Sequence, residues 1–263
     1  MIHFITICAT KKLSVPAPAI DLYKGGYWDI VKEISSKVDY TWILSAQNGL
    51  ISSNKVIKPY NLSFKPDSQD YIGHIGLNPT KYWDAITCYD KDNSVKKLIE
   101  SYPNDRFILY ASNSYMKAIK NDLLPVIDSK NLYIFSPDTK GKYFTPHILK
   151  TSLKLRYVLG GNKITTTAIT IKHFLENIDS IGWDKSNINN YFTNMVKDCP
   201  EYNRLPNKPK ISDDVLIEII KEIGINTPKT RILKIISSKG FAIGPNRLSR
   251  TLFTLKLENN TSN

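Results

Sequence analysis

The chain has 263 residues, of which 41% are hydrophobic and 23% are charged. This composition is typical of a folded globular protein and excludes a disordered or fibrous chain. The length suits one medium domain with a small second one. A formal net charge of +12 at pH 7 favours a polyanionic partner, with nucleic acid as the first candidate. The alternative is a charge that serves solubility alone.

The cysteines and the apolar runs restrict the class of protein further. Cys8, Cys88 and Cys199 are odd in number and far apart, which argues against a disulfide framework. Neither they nor the four histidines show metal-ligand spacing, so we expect no metal and no other cofactor. The amino terminus resembles no leader peptide, and no apolar run approaches the roughly 18 residues that span a membrane. We therefore expect a cytoplasmic protein with no membrane contact and no obligate protein partner.

Strands and helices alternate along the first half of the chain. Short β-branched runs predict buried strands at Ile2–Cys8, Tyr40–Ser45, Asp105–Ala111 and Asn131–Ser136. Helical spacing predicts helices over Asp21–Val38 and about 114–124. This alternation predicts an α/β fold with a mostly parallel sheet flanked by helices.

The alternation of strands and helices ends near Gly160 and Gly161. The spacing of apolar residues then predicts a helix over Thr165–Ile178. The proline- and lysine-rich stretch 205–210 has the composition of a linker. We therefore predict three parts: an α/β domain over 1–160, a helical connector over 161–205 and a small all-α domain over 206–263.

The last part divides into three short predicted helices. Ser212 is expected to cap the first, which Gly224 ends. Thr227, before Pro228, is expected to cap the second, which ends at Gly240, and the third runs over about 245–255.

Cations dominate these last helices, and two short helices joined by a tight turn are typical of a helix-turn-helix that faces a phosphate backbone. The alternative is a solvated basic face on a packing domain. The candidate DNA-binding residues are Lys229, Arg231, Lys234, Arg247 and Arg250.

Polar residues follow three of the predicted strands. In parallel sheets, sites form in the loops beyond the carboxyl ends of the strands, so we expect these residues to converge. The first group follows Ile7 and comprises Cys8, Lys11, Lys12, Asp21 and Tyr23. The second follows Leu44 and comprises Ser45, Asn48, Lys58 and Tyr60. The third follows Tyr110 and comprises Ser112, Asn113 and Tyr115.

Four of these residues carry charges that suit a role in binding or catalysis. Lys11 and its neighbour Lys12, beside backbone N–H groups, suit an anionic or carbonyl-bearing ligand. Asp21 at a helix start stays ionised, although it can equally be only a cap. Lys58 is a candidate nucleophile if burial lowers its pKa, and otherwise an ordinary surface charge.

The stretches CATKKL, PAPAIDLY, ILSAQNGLI, IKPYNLS and LYASNSYMKAI resemble the YaaA-type superfamily, in particular its branch of small bacterial and phage proteins. IKPYNLS is also similar to the lysine-proline-tyrosine motif of archaeosine synthase. The resemblance spans roughly residues 3–160, and the carboxyl-terminal helices resemble the tail of the same branch. The chain is similar, too, to an antiphage DNA glycosylase of this branch that removes glucosylated hydroxymethylcytosine.

The resemblance implies a fold related to uracil-DNA glycosylases and a function on modified nucleobases. We therefore expect a DNA glycosylase that excises a modified base from double-stranded phage DNA, with the base flipped into a pocket. Asp21 would activate water or stabilise an oxocarbenium-like sugar, and Lys11 or Lys58 would balance charge on the departing base. The pocket would be lined by Cys8, Tyr23, Ser45, Asn48, Tyr60, Ser112, Asn113 and Tyr115.

Two other functions fit the same residues. A non-enzymatic DNA-binding protein of the YaaA type would use the basic tail and need no working site. A base-modifying transferase would use Lys58 to attack a deazaguanine nitrile.

Overall fold

The computed structural model describes residues 1–88, 93–136, 144, 147–149, 151–200 and 209–261. Side chains 245–246 and 256–261 are outside this description. Within the described residues, every helix is too short or too polar to cross a lipid bilayer.

Seven strands are present in the described residues. They are β1 (Ile2–Ile7), β2 (Ala17–Pro18), β3 (Tyr40–Ser45), β4 (Gly49–Ser52), β5 (Val56–Ile57), β6 (Arg106–Tyr110) and β7 (Leu132–Phe135).

Five of the strands form one mixed sheet in the order β4-β3-β1-β6-β7. The β1–β3, β1–β6 and β6–β7 pairs are parallel, and β4 returns antiparallel to β3. Strands β2 and β5 form a separate antiparallel pair, in which Ala17 faces Ile57. The predicted mostly parallel sheet is confirmed, and its four predicted strands agree with β1, β3, β6 and β7 to within a residue at either end.

The helices follow in chain order. The first unit of the chain contains α1 (Ala19–Leu22), α2 (Gly26–Ser35), α3 (Pro79–Cys88), α4 (Val95–Ser101), α5 (Asn113–Ala118), α6 (Lys120–Leu123), α7 (Leu155–Leu159), α8 (Thr166–Glu176), α9 (Ile178–Ile181) and α10 (Lys185–Met195). The second contains α11 (Asp213–Ile223), α12 (Lys229–Ser238) and α13 (Pro245–Thr261).

Two helical groups flank the sheet, as the strand–helix alternation predicts. Helix α8 packs against α2 and α7, whereas α3 packs against α5 and α6. One apolar core joins them, and it includes fully buried residues of the central strand such as Phe4 and Ile5.

The predicted helix over Asp21–Val38 forms as two helices. The chain leaves α1 through an extended Tyr23, and it passes Gly25 at φ +116° before α2 begins. This backbone conformation is open to glycine and costly for other residues, so the helix cannot continue through it.

The chain divides into two compact units, 1–201 and 202–263. Helices α8 and α10 carry core residues of the first unit, including Phe174 and Phe192. The stretch that we predicted as a connector therefore contributes to the α/β core.

The second unit has its own small core of aliphatic residues, in which Leu216, Ile232 and Leu248 represent its three helices. Ser212 caps α11, as predicted, by accepting a hydrogen bond from the Val215 amide at 3.4 Å. The prediction for α12 is wrong in one respect: its N-cap position is Pro228. The Thr227 hydroxyl instead donates backward to the Ile223 carbonyl at 2.6 Å.

Candidate functional site

The carboxyl ends of β3, β1 and β6 are adjacent, because these strands are parallel neighbours in the sheet. They bring together side chains from all three polar groups that the sequence singles out. We call the following five residues the polar cluster: Cys8, Tyr23, Ser45, Tyr60 and Tyr115.

Two hydrogen-bonded chains make up the polar cluster. Tyr60 Oη lies 2.9 Å from Tyr23 Oη and 2.9 Å from Ser45 Oγ. Cys8 Sγ lies 2.8 Å from Tyr115 Oη. The two chains act on each other, since Cys8 contributes to raising the pKa of Tyr60.

Asn48 fixes the direction of one of these bonds. Its backbone N–H and its Nδ2 both donate to Ser45 Oγ, at 3.1 and 3.0 Å. A serine hydroxyl has two acceptor lone pairs and one proton, so Ser45 is left to donate that proton to Tyr60. The Tyr60 proton is then available to Tyr23 or to another acceptor nearby.

Short backbone pairings hold the loops that carry these residues. The β2–β5 pair joins the segment after β1 to the segment that precedes Tyr60. Lys12 forms an isolated bridge with Tyr23, and the Leu13 amide donates to the Leu22 carbonyl at 2.8 Å. The segment that follows β1 is therefore folded back onto the polar cluster.

The polar cluster is almost entirely removed from solvent. Tyr23 and Ser45 are fully buried, and the others are at most 9% exposed. Burial is the main reason that the pKa values of Tyr23, Tyr60 and Tyr115 all lie well above that of an ordinary tyrosine. The phenols are therefore neutral hydrogen-bonding groups at physiological pH.

Lys12 is the cation beside this cluster. Its Nζ lies 4.2 Å from the centre of the Tyr60 ring and 5.9 Å from that of Tyr23, which is cation–π distance. Partial burial lowers the pKa of Lys12 below its ordinary value, and the ionisable groups of Cys8 and Asp70 oppose that shift. The site thus combines a partly desolvated amine with a floor of hydroxyl groups.

Asp70 is the carboxylate whose charge acts on Lys12. It lies in the segment after Tyr60, where its carbonyl accepts from the Ser63 amide at 2.8 Å and its own amide donates to Ser68 Oγ at 3.3 Å. Its backbone is therefore held on both sides.

The charged residues selected from the sequence lie outside the polar cluster. Asp21 is on the surface, 53% exposed, and its carboxylate accepts from Lys32 Nζ at 2.8 Å. Lys11 and Lys58 are both exposed. Successive side chains of the extended segment after β1 point to opposite sides. Lys12 therefore faces Tyr23 and Tyr60, whereas Lys11 faces solvent.

The third predicted group is split between the cluster and its surroundings. Tyr115 is buried in it, whereas Ser112 is half-buried and its hydroxyl lies 3.1 Å from that of Ser114. Asn113 is half-buried at the first position of α5.

Two buried polar atoms at this edge of the sheet have no hydrogen-bond partner among the described residues. One is Trp28 Nε1, whose indole packs 4.7 Å from the Tyr23 ring. The other is Ser136 Oγ, which follows directly after β7.

In the second unit, two of the five predicted DNA-binding residues make hydrogen bonds within the unit, and the other three are exposed. Arg247 donates to Asp213 Oδ1 at 3.1 Å and to the Ile211 carbonyl at 2.7 Å, which ties α13 to the start of α11. Lys229 Nζ donates to Ser249 Oγ at 3.0 Å. Arg231, Lys234 and Arg250 are exposed.

Sequence reasoning placed Lys12 beside the predicted site but selected Lys11 as the functional lysine, and it missed Asp70. A signal for Lys12 was available, because Lys11 and Lys12 adjoin and only one of two neighbours in an extended segment can face a given side. Asp70 gave no such signal, since its proximity to Lys12 depends on the irregular path of residues 58–72.

In the part of the chain that the structure describes, no group of three or more His, Cys, Asp or Glu side chains is arranged to hold a metal ion. The fold and the site thus define an α/β protein with a buried tyrosine, serine and cysteine cluster at the carboxyl edge of its sheet. Residues 2–132, just under half of the chain, match the family of unknown function DUF6884. This range contains the whole polar cluster. Neither a curated protein nor a solved structure matches the chain.

Proposed function

We propose that this protein is a DNA glycosylase that releases a modified nucleobase from double-stranded DNA, in a fold related to uracil-DNA glycosylases. The observation that carries the proposal is the partly desolvated Lys12 above the buried hydroxyls of Tyr60 and Tyr23. The resemblance of its motifs to base-handling proteins of the YaaA type and the net charge of +12 support it.

The polar cluster suits the recognition of a base that has been flipped out of the duplex. Its neutral phenols are held in place by Ser45, which Asn48 orients in turn, and the rings of Tyr60 and Tyr23 lie beneath Lys12. Enzymes that act on extrahelical bases read the polar edge of the base with such groups and stack its ring on aromatic surfaces. A carbohydrate-bearing base adds further hydroxyls, and we propose glucosylated hydroxymethylcytosine of phage DNA as the substrate.

The breaking of the N-glycosidic bond sends its electron pair to the base, and the sugar becomes oxocarbenium-like. A cation near the base stabilises the developing negative charge, and we assign this role to Lys12. Because the ammonium is partly desolvated, its attraction for an anion is less weakened by water than that of an exposed lysine.

A carboxylate is needed on the sugar side, either to stabilise the oxocarbenium ion or to orient the water that attacks C1′. Asp70 fits this role better than Asp21, because its charge acts on Lys12 whereas the Asp21 carboxylate is held by Lys32 at the surface. Water then delivers hydroxide to C1′, the departing base gains a proton, and an abasic site remains.

The second unit would hold the flanking duplex. Arg231, Lys234 and Arg250 are exposed cations on or near its last two helices, and such groups contact phosphates. We propose that α12 and α13 act in the manner of a helix-turn-helix.

The test measures base release from DNA that carries glucosylated hydroxymethylcytosine, with two matched pairs of variants. We expect Asp70→Asn and Lys12→Gln each to lower the rate of base release by about 100-fold or more, the order of magnitude of a positioned catalytic group. Asp21→Asn and Lys11→Gln should stay within about threefold of the wild type, as for surface charges outside a site. Thermal unfolding of all four variants serves as the folding control.

A different result would reassign the function. Loss of activity in Asp21→Asn with full activity in Asp70→Asn would overturn the carboxylate assignment. Salt-sensitive DNA binding without release of any base would favour a non-enzymatic DNA-binding protein.

A further inference from the structure

The backbone that carries Lys12 is fixed by a short antiparallel ladder. An isolated bridge pairs Lys12 with Tyr23. Next to this bridge, the Lys24 amide donates to the Lys11 carbonyl at 3.0 Å. The side chain of Lys12 therefore starts from a fixed point, and its amine is positioned by its own torsions alone.

The amine of Lys12 is only weakly engaged by the rest of the described chain. Its one hydrogen bond there goes to the Thr10 carbonyl at 3.4 Å, which is longer than a typical bond of this kind. No carboxylate among the described residues forms an ion pair with it, and the charge of Asp70 acts on it from a longer distance. Because Lys12 is half-buried, the amine can still be reached by a small molecule.

Aromatic rings replace water on one side of this amine. Its Nζ lies 4.2 Å from the centre of the Tyr60 ring and 5.9 Å from that of Tyr23. Burial is the largest influence on the pKa of Lys12 and lowers it, whereas Cys8 and Asp70 act in the opposite direction. At a given pH, more of Lys12 is therefore the neutral amine than of an ordinary lysine. The neutral amine is the form that attacks a carbonyl carbon.

We propose that Lys12 is a covalent binding site for a small aldehyde, which its free amine holds as an imine above the rings of Tyr60 and Tyr23. The nitrogen lone pair forms a bond to the carbonyl carbon, the C=O bond breaks, and the oxygen leaves as water with both protons of the amine. The imine is neutral, so surroundings that disfavour a charge stabilise it relative to the ammonium form. This inference goes beyond the proposed function and does not depend on base release.

Lys185 is a second described lysine whose pKa is lowered by burial, and its Nζ lies 5.7 Å from the centre of the Tyr133 ring. Its ammonium, however, donates to the Ser129 carbonyl at 3.2 Å and so links the start of α10 to the turn before β7. An imine nitrogen carries no proton, so modification would leave that carbonyl without its donor, which is costly. We therefore expect Lys12, and not Lys185, to be the aldehyde site.

The test forms imines with propanal in the absence of DNA, at mildly alkaline pH, and fixes them by rapid reduction with borohydride. Mass spectrometry then gives the modified fraction of each lysine as a function of propanal concentration. We expect Lys12 to be half-saturated at a concentration about fivefold or more below that of exposed Lys11, because burial disfavours the ammonium form and leaves the neutral imine unpenalised. Lys185 should also need about fivefold more propanal than Lys12, since its imine loses a hydrogen bond.

Two variants form a matched pair, because arginine keeps the positive charge and does not form this imine. Lys11→Arg should leave the half-saturation of Lys12 within about twofold of the wild type, since the reacting amine is unchanged. Lys12→Arg should remove the adduct that forms at low propanal concentration, so that half-saturation of the remaining Lys11 lies about fivefold or more higher. Thermal unfolding of both variants verifies that they are folded.

Equal half-saturation of Lys11 and Lys12 would overturn the inference, as would modification of Lys11 at concentrations that leave Lys12 untouched. Equal reactivity of Lys12 and Lys185 would overturn it as well, because burial alone would then explain both. Base release is scored separately on DNA, so failure of the glycosylase proposal would show as intact glycosidic bonds even where the imine at Lys12 forms.

Discussion

At the scale of single residues, burial of the polar cluster removes hydrogen bonds to water, and hydrogen bonds within the cluster replace them. Tyr23, Tyr60 and Tyr115 lose access to water, and each recovers a partner within the polar cluster. Each bond contributes little net stability, but its removal leaves a buried polar group unpaired, which is costly.

Removal of the Tyr60 hydroxyl should be more costly than its size suggests. Tyr60→Phe leaves the donated proton of Ser45 and the hydroxyl of Tyr23 without their common partner. We expect the free energy of unfolding to fall by about 1–3 kcal/mol, measured by urea denaturation. Tyr40→Phe is the control, since Tyr40 is 44% exposed and should change stability by less than about 0.5 kcal/mol. Equal effects of the two variants would show that the hydrogen bonds of Tyr60 carry no stability.

Lys12 should become a free amine at a lower pH than an ordinary lysine. Desolvation disfavours the ammonium form, so the pKa of Lys12 lies below its ordinary value, and deprotonation begins earlier as the pH rises. Competitive labelling with an amine reagent, followed by mass spectrometry across pH 7–11 (about the range of lysine titration), gives the midpoint for each lysine. A Lys12 midpoint at or above that of an ordinary lysine, about 10.4, would contradict the desolvation of Lys12. The comparison uses midpoints because partial burial also lowers the maximum rate of labelling.

At the scale of elements, glycines decide where helices and strands stop. Gly49 adopts φ +70° between β3 and β4, and a Cβ there would lie 3.2 Å from the Asn93 carbonyl oxygen. Gly161 adopts φ +87° before α8, and a Cβ there would lie 2.3 Å from Ile169 Cδ1 and 2.9 Å from Thr165 Oγ1. Both glycines are therefore required by backbone conformation and by close approach.

Gly161→Ala should disturb the turn that leads into α8. In the variant, an alanine must adopt a left-handed backbone conformation, and its Cβ crowds Thr165. We therefore expect a loss of about 2–3 kcal/mol in the free energy of unfolding. Gly76→Ala isolates the backbone contribution, because Gly76 also has a positive φ of +77° but open space around it, and it should lose only about 1 kcal/mol. Equal losses in the two variants would mean that side-chain crowding at Gly161 is relieved by rotation of Ile169.

The elements and the site were predictable to different degrees. The β-branched runs predict β1, β3, β6 and β7 because buried parallel strands are continuous apolar stretches. The sequence did not predict β4. This strand follows β3 directly after the tight turn at Gly49, and its four residues are too few to show an apolar pattern of their own. Convergence of Cys8, Ser45 and Tyr115 followed from the rule on strand ends, whereas Asp70 and the exposed position of Asp21 depend on loop paths that periodicity does not encode.

At the scale of the whole molecule, the proposal of DNA binding rests on the distribution of charge. A formal charge of +12 is distributed over both compact units, and the acid-free stretch 139–175 belongs to the first of them. Each unit therefore offers cations to a polyanion, while the polar cluster lies in the first. Binding should then be dominated by phosphate contacts and should weaken steeply with salt.

The salt dependence of DNA binding tests the role of the second unit. If Arg231 and Lys234 each neutralise a phosphate, the double variant Arg231→Ala/Lys234→Ala should reduce the slope of log affinity against log salt by about two, measured by fluorescence anisotropy. Lys221→Ala, which removes an exposed cation from α11, should leave the slope within about 0.5 of the wild type. A slope that is unchanged in the double variant would contradict DNA binding through α12.

The central claim is the release of a modified base, and incubation of the purified protein with three DNAs tests it most directly. The DNAs carry unmodified, hydroxymethylated or glucosylated hydroxymethylated cytosine, and the measurement scores abasic sites together with the freed base by mass spectrometry. We predict abasic sites and free base in equal amounts from the glucosylated DNA, and neither product from unmodified DNA. Intact glycosidic bonds in all three DNAs, with the protein bound to them, would contradict the claim.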